Sequence, residues 1–79
     1  YKSLLLAKKL WEGGVVYCDN IKQAMTDLIT QEQTAQIDYI SIADAVTLEE
    51  LDEIKVPVLI SMAVFIGQTR LIDNIILES

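Results

Sequence analysis

The sequence predicts an α+β fold: two amphipathic helices packed on a three-stranded antiparallel meander, in the order helix, helix, strand, turn, strand, strand. Three observations predict it. From Val58 to Ile66 almost every residue is apolar, and Val58, Ile60, Val64 and Ile66 are β-branched, which favours a strand over a buried helix. Gly67-Gln68 breaks that run and a second mostly apolar stretch follows from Thr69, so the two read as a β-hairpin. Upstream, Ile21, Ala24, Met25, Leu28 and Ile29 recur with the period of a helix that has one apolar face. The apolar strand is expected to be buried on both faces, with the earlier segments covering it.

Tyr1 to Trp11 reads as the first helix. Leu4, Leu5, Leu6, Ala7, Leu10 and Trp11 form a broad apolar stripe, with Lys2, Lys8, Lys9 and Glu12 outside it. Gly13-Gly14 ends it in the manner of a left-handed C-cap, and Lys8 and Lys9 suit the negative end of the helix dipole. No N-cap residue precedes the pattern, as expected of a domain cut from a longer protein. Val15 to Asp19 is a connector. Asn20-x-x-Gln23 reads as a capping box for the second helix, with Asp19 as the competing N-cap. The Gln/Thr-rich stretch Thr30 to Gln36 is a loop. Ile37 to Ala43 alternates as a strand, with Asp38, Ile40 and Ile42 on one face and Ile37, Tyr39, Ser41 and Ala43 on the other. Asp44 to Val56 is irregular. Thr47-x-x-Glu50 is a second capping-box pattern there, and Leu48, Leu51 and Ile54 are expected to anchor a single helical turn. Pro57 fits the first residue of the central strand, where its missing N–H costs least. Two helices cover one sheet face. The other is expected to be exposed, or covered by Leu48–Ile54 or by another copy of the chain.

Seventy-nine residues with 52% apolar content make one small domain held by a core. Cys18 is the single cysteine, reads as a small buried hydrophobe, and points to a reducing compartment. No secretory signal pattern occurs, and no apolar run approaches the roughly 20 residues that span a bilayer. The net charge is −6 and histidine is absent. A phosphate-backbone binder needs clustered Lys and Arg, and the six basic residues here are scattered, so no nucleic acid partner is expected. Without histidine there is no His-based triad, acid/base pair or histidine zinc site.

The side-chain groupings carry little chemistry. Glu49, Glu50, Asp52 and Glu53 form the densest acidic cluster, but they lack the spacing of a calcium loop, and a solvated acidic segment explains them better. Arg70 is the only arginine. Three residues from Asp73 on a strand, it faces the opposite way, so its expected partner is a carboxylate elsewhere, Asp38 or Asp44, with Asp73 capping backbone N–H groups. The other possibility for Arg70 is a nucleotide phosphate or a partner carboxylate. Trp11 and Tyr39 read as core or core-edge aromatics. No phosphate loop and no nucleophile elbow is spelled out. The residues thus supply no catalytic, cofactor-binding or metal site.

Gly67-Gln68-Thr69-Arg70-Leu71-Ile72-Asp73-Asn74 resembles the closing signature of the pantoate–β-alanine ligase (pantothenate synthetase) family, Gly-x-[Ala/Thr]-Arg-Leu-Ile-Asp-Asn. Asp38-Tyr39-Ile40-Ser41-Ile42 is similar to the family's strand before it, and Ala43-Asp44-Ala45-Val46-Thr47-Leu48 to the turn that follows. The resemblance runs over essentially the whole chain but covers only the C-terminal domain of such an enzyme, so residues 1–79 are expected to form that one domain. It implies an ATP- and Mg2+-dependent, cytoplasmic enzyme, expected to be a homodimer when complete. Such an enzyme activates pantoate as pantoyl-adenylate, and the β-alanine amine then displaces AMP. It also implies an N-terminal nucleotide-binding domain with a histidine-containing HIGH-type motif and a Ser-Ser-Arg-Asn hinge motif. Neither motif is present, so no catalytic, ATP-binding or metal residue carries over. The expected role is a lid that closes over the nucleotide, and the isolated chain is expected to be inactive. The rival reading is an acidic α+β interaction module that dimerises through its uncovered sheet face.

Overall fold

A computed structural model describes residues 2–78. Its elements are α1 (Lys2–Glu12), α2 (Cys18–Ile29), β1 (Ala35–Asp44), β2 (Val58–Ile66) and β3 (Thr69–Leu77). The strands form an antiparallel sheet in the order β1-β2-β3, as the apolar middle segment required. Tyr1, the expected first helical residue, lies outside the described residues.

α1 stops where its glycines allow it to. The Gly14 amide donates to Trp11 O (3.0 Å) and the Val15 amide to Leu10 O (2.9 Å). Gly14 itself sits at φ +101°, where a side chain would be strained. This paired bonding across a left-handed glycine is a Schellman cap. α2 begins earlier than expected. Neither Asp19 nor Asn20 caps it: both lie inside the helix, and Tyr17 is the N-cap, extended and without a side-chain cap bond. The reason is tertiary. The Cys18 amide, which local capping would otherwise leave open, donates to Asp52 O at 2.8 Å.

β1 is longer than its apolar alternation indicated, and it is irregular. Its pairing with β2 shifts between Ile37 and Tyr39, so Asp38 is an extra residue. The bulge changes the faces. Ile37, Ile40 and Ile42 oppose Val64, Met62 and Ile60 and share the helix-covered side, while Tyr39 and Ser41 lie on the other. Strict alternation had placed Ile37 with Tyr39; the inserted residue reverses that. The β2–β3 hairpin turns on Gly67, φ +60°, the first of its two loop residues, a position that a type II′ turn reserves for glycine.

The core lies between the helices and one sheet face. Leu4 and Ala7 of α1, Cys18, Ile21 and Met25 of α2, Ile42 of β1, Val58, Ile60, Met62 and Val64 of β2, and Leu77 of β3 form one buried cluster. Trp11 packs against its edge. On this side β2 is buried from Val58 to Val64, and Ile66 is half-buried. On the opposite face Ala63 is buried, but Leu59, Ser61 and Phe65 are half-buried, and the flanking Ile72 and Ile76 of β3 are 59% and 54% exposed. The expectation of a strand buried on both faces therefore holds for one face. The layer that would cover the other is not supplied by Leu48–Ile54.

The helical turn expected from Thr47, anchored by Leu48, Leu51 and Ile54, does not form. Asp44 ends β1 and closes a turn: its Oδ1 accepts from the Val46 and Thr47 amides (2.7 and 2.9 Å), and the Leu48 amide donates to Asp44 O (2.8 Å). Leu48 takes φ +64° and is 65% exposed, so it anchors nothing. From Glu49 the chain runs as an extended strap. It bridges β1 at Ala43–Glu50 and the interhelical connector at Tyr17–Glu53. Leu51 and Ile54 do pack against the core, as expected, but from the strap. Backbone pairing on both sides offers these residues more hydrogen bonds than one isolated turn would.

Candidate functional site

Three surfaces gather side chains that could carry function: the acidic strap, the uncovered sheet face around Arg70, and a cleft beside β3.

Glu50 is the centre of the first. Ser41 Oγ donates to Glu50 Oε1, and Lys22 Nζ approaches Oε2 at 3.2 Å. The Ile42 amide adds a long bond to the same oxygen (3.4 Å). Partial burial pushes this carboxyl upward, but the bonds from Ser41 and Lys22, with the lysine charge, outweigh it and hold Glu50 below its ordinary range. The arrangement ties strap, β1 and α2 together. Glu49, Asp52 and Glu53 do not join it. Among the described residues no three Asp, Glu, Cys or His side chains converge as a metal would need. Asp44 also lies below its ordinary range, held there by the amide bonds of Thr47 and Val46.

Arg70 crosses the uncovered face. Its Nε and Nη2 donate to Asp38 Oδ2 at 3.1 and 2.8 Å. Arg70 is on β3 and Asp38 is the bulge residue of β1, so the pair spans the middle strand. Of the two carboxylates expected for it, Asp38 is the partner, and Asp44 is engaged in its own turn. Asp73 accepts from the adjacent Asn74 amide (2.8 Å), the local backbone contact expected of it. Tyr39 sits on the same sheet face as Arg70, turned away from the core and 38% exposed, so the expectation of a core-edge aromatic fails for it. The bulge that delivers Asp38 to Arg70 had no signal in the sequence beyond the mixed character of both faces.

The cleft lies on the helix side of the sheet, over β3. α2 packs over β1 and α1 reaches β3, but the hairpin end of β3 stays partly open, and a volume of about 490 Å³ remains. Its floor includes Met62, Val64 and Leu71; Leu28 and Ile29 form a wall; Lys2, Glu32 and Asp73 stand among its lining. The buried Ser3 hydroxyl, also in the lining, donates to Met62 Sδ (3.0 Å). Sequence reasoning missed this cleft, because it depends on where the helices rest across the sheet.

Lys22 and Arg70 are held by carboxylates, and no described buried side-chain N or O atom lacks a partner. Among the described residues no helix is long and apolar enough to cross a membrane.

The class that the structure defines is a two-layer α+β domain, with a helical pair on one face of a three-stranded meander. The profile of the pantoate-beta-alanine ligase family matches residues 1–76, and the chain belongs to that family. It is 46% identical over 78 residues to a pantothenate synthetase of Caldicellulosiruptor saccharolyticus, covering 99% of this chain and 28% of the relative. A pantothenate synthetase of Clostridioides difficile is also 46% identical, over 98% of this chain and 27% of its own length. The crystal structure of pantothenate synthetase from Thermus thermophilus superposes with a TM-score of 0.85 at 23% identity, over 95% of this chain and 27% of that one, which shows the shared fold. The chain thus spans little more than a quarter of the length of the relatives it matches.

Proposed function

We propose that these 79 residues are the C-terminal lid domain of an ATP-dependent ligase that condenses pantoate with β-alanine through a pantoyl-adenylate. One observation carries the reading: a family match over nearly the whole chain that accounts for only 28% of a relative's length, in a sequence without histidine. On this reading the catalytic groups, the ATP phosphates and their Mg2+ belong to an N-terminal nucleotide-binding domain, in a cytoplasmic enzyme that is a homodimer when complete. This domain contributes a wall that excludes water from the reactive adenylate, and a hinge movement. In support of this, Arg70 and Lys22 are engaged internally. No chemical step is therefore assigned to them.

Calorimetry and a turnover assay test the reading on the 79-residue chain and on the full-length protein. The full-length protein is expected to form pantothenate, and the chain alone to show neither turnover nor tight ATP binding. Micromolar ATP affinity or unaided synthesis by the chain overturns the reading.

A second reading, a non-catalytic module that dimerises through the uncovered sheet face, is favoured by the exposed Ile72 and Ile76. Sedimentation across a concentration series separates the two. A lid domain stays monomeric or self-associates weakly, whereas a dedicated module forms a stoichiometric dimer.

A further inference from the structure

We propose that the cleft beside β3 is the seat of the polypeptide that immediately precedes this chain in the full-length protein, laid against the sheet as an amphipathic helix. The inference rests on the lid reading above, which places further chain before Tyr1.

Three features support it. The first is layer geometry. α2 packs over β1 and α1 over part of β3, and Leu71, nearer the hairpin on the same side of β3, is left 53% exposed. A further helical segment would cover this hairpin end, because an apolar sheet face is stable only when covered. The second is chain continuity. Lys2 and Ser3, at the start of α1, already line the cleft, so a preceding segment enters it without a long connection. The third is charge. Lys2 is one cation among the lining residues, against the two carboxylates Glu32 and Asp73. The matching occupant has apolar residues toward Met62, Val64 and Leu71 and at least one Lys or Arg toward Glu32 and Asp73. A second copy of this chain, at net charge −6, is a poorer partner for an acidic rim. The volume, about 490 Å³, also lies within the range of small-molecule pockets, so a ligand is the competing occupant.

The test uses the full-length protein. Leu71→Cys is compared with Val46→Cys, a substitution on an open turn, in maleimide labelling. Native Cys18 is buried. Leu71→Cys is expected to react at least about tenfold more slowly, without added substrate, because labelling would need the helix to lift away. A benzophenone side chain at position 71 is expected to cross-link within about 20 residues before Tyr1, room for a short connection and a few helical turns. Equal labelling rates overturn the proposal. So does protection that appears only when ATP or pantoate is added, or a cross-link to a distant segment or to a second subunit. Turnover is measured on the same preparations. Normal synthesis with the cross-link elsewhere sinks the cleft assignment alone, whereas no synthesis by the unsubstituted protein sinks the reading beneath it.

Discussion

Glu50 shows how one exposed-looking side chain can hold three segments. Its carboxylate meets Ser41 and the Ile42 amide of β1 and Lys22 of α2, while its backbone belongs to the strap. The side chain remains 56% exposed, so solvent screens much of the attraction. Glu50→Gln is expected to lower stability by about 0.5–1 kcal/mol at neutral pH, read as a urea midpoint. The sign of its pH dependence follows from its lowered folded value. The contribution is complete above the unfolded value, about 4.3, and is lost as pH falls through the lower folded one. Asp44 acts in the same sense. The gap between wild type and Glu50→Gln should therefore narrow below about pH 4; a gap that widens in acid contradicts the assignment. Arg70 and Asp38 make the second pair. Both are around two-fifths exposed. A double-mutant cycle with Arg70→Ala and Asp38→Ala is expected to give about 0.5 kcal/mol of coupling, reduced in molar salt. Zero coupling at low salt removes the cross-sheet clamp.

At the level of elements, the strap and the strands make opposite demands on their side chains. Leu48 holds a left-handed backbone conformation that a leucine adopts only under strain, and its side chain gains little burial in return. Leu48→Gly should raise stability by about 0.5–1 kcal/mol, because glycine removes the Cβ clash at the cost of some unfolded-state entropy. Loss of stability in thermal melts would mean that the turn is held in another way. Along the sheet, position decides the outcome of equal chemistry. Ile60 is fully buried at the centre of β2, whereas Ile76 is half exposed on the open face of β3. Ile60→Ala is expected to cost about 3 kcal/mol and Ile76→Ala less than about 0.5, measured by denaturant titration. Comparable losses would show that the second face is covered after all. The central strand was legible in the sequence because an unbroken apolar run has few alternatives. The bulge at Asp38 was not, because an inserted residue leaves the local composition unchanged and only reverses which neighbours share a face.

For the whole molecule, the packing of helices across the sheet determines stability. Cys18 lies at the centre of that packing, where burial raises its thiol above the ordinary value. Its reaction with a disulfide reagent should be limited by opening of the whole fold, and accelerate only as denaturant unfolds the chain. Fast labelling in native buffer would indicate a helical layer that separates from the sheet on its own. The same packing leaves β3 half covered on one side and open on the other. So much apolar strand at the surface belongs to a chain that spans 28% of the length of a relative it matches.

The two helices and three strands, their order, the position of the central strand and the family were written in the sequence, because periodicity and short motifs are local properties. Tertiary structure alone decided where α2 starts, since its cap is a carbonyl from a strap more than thirty residues away. It also decided that the Thr47 pattern forms no helix, that Asp38 rather than Asp44 meets Arg70, and that a cleft opens over β3. These outcomes depend on hydrogen bonds and contacts between segments far apart in the chain, and no local pattern encodes which of several satisfactory partners ends up nearest.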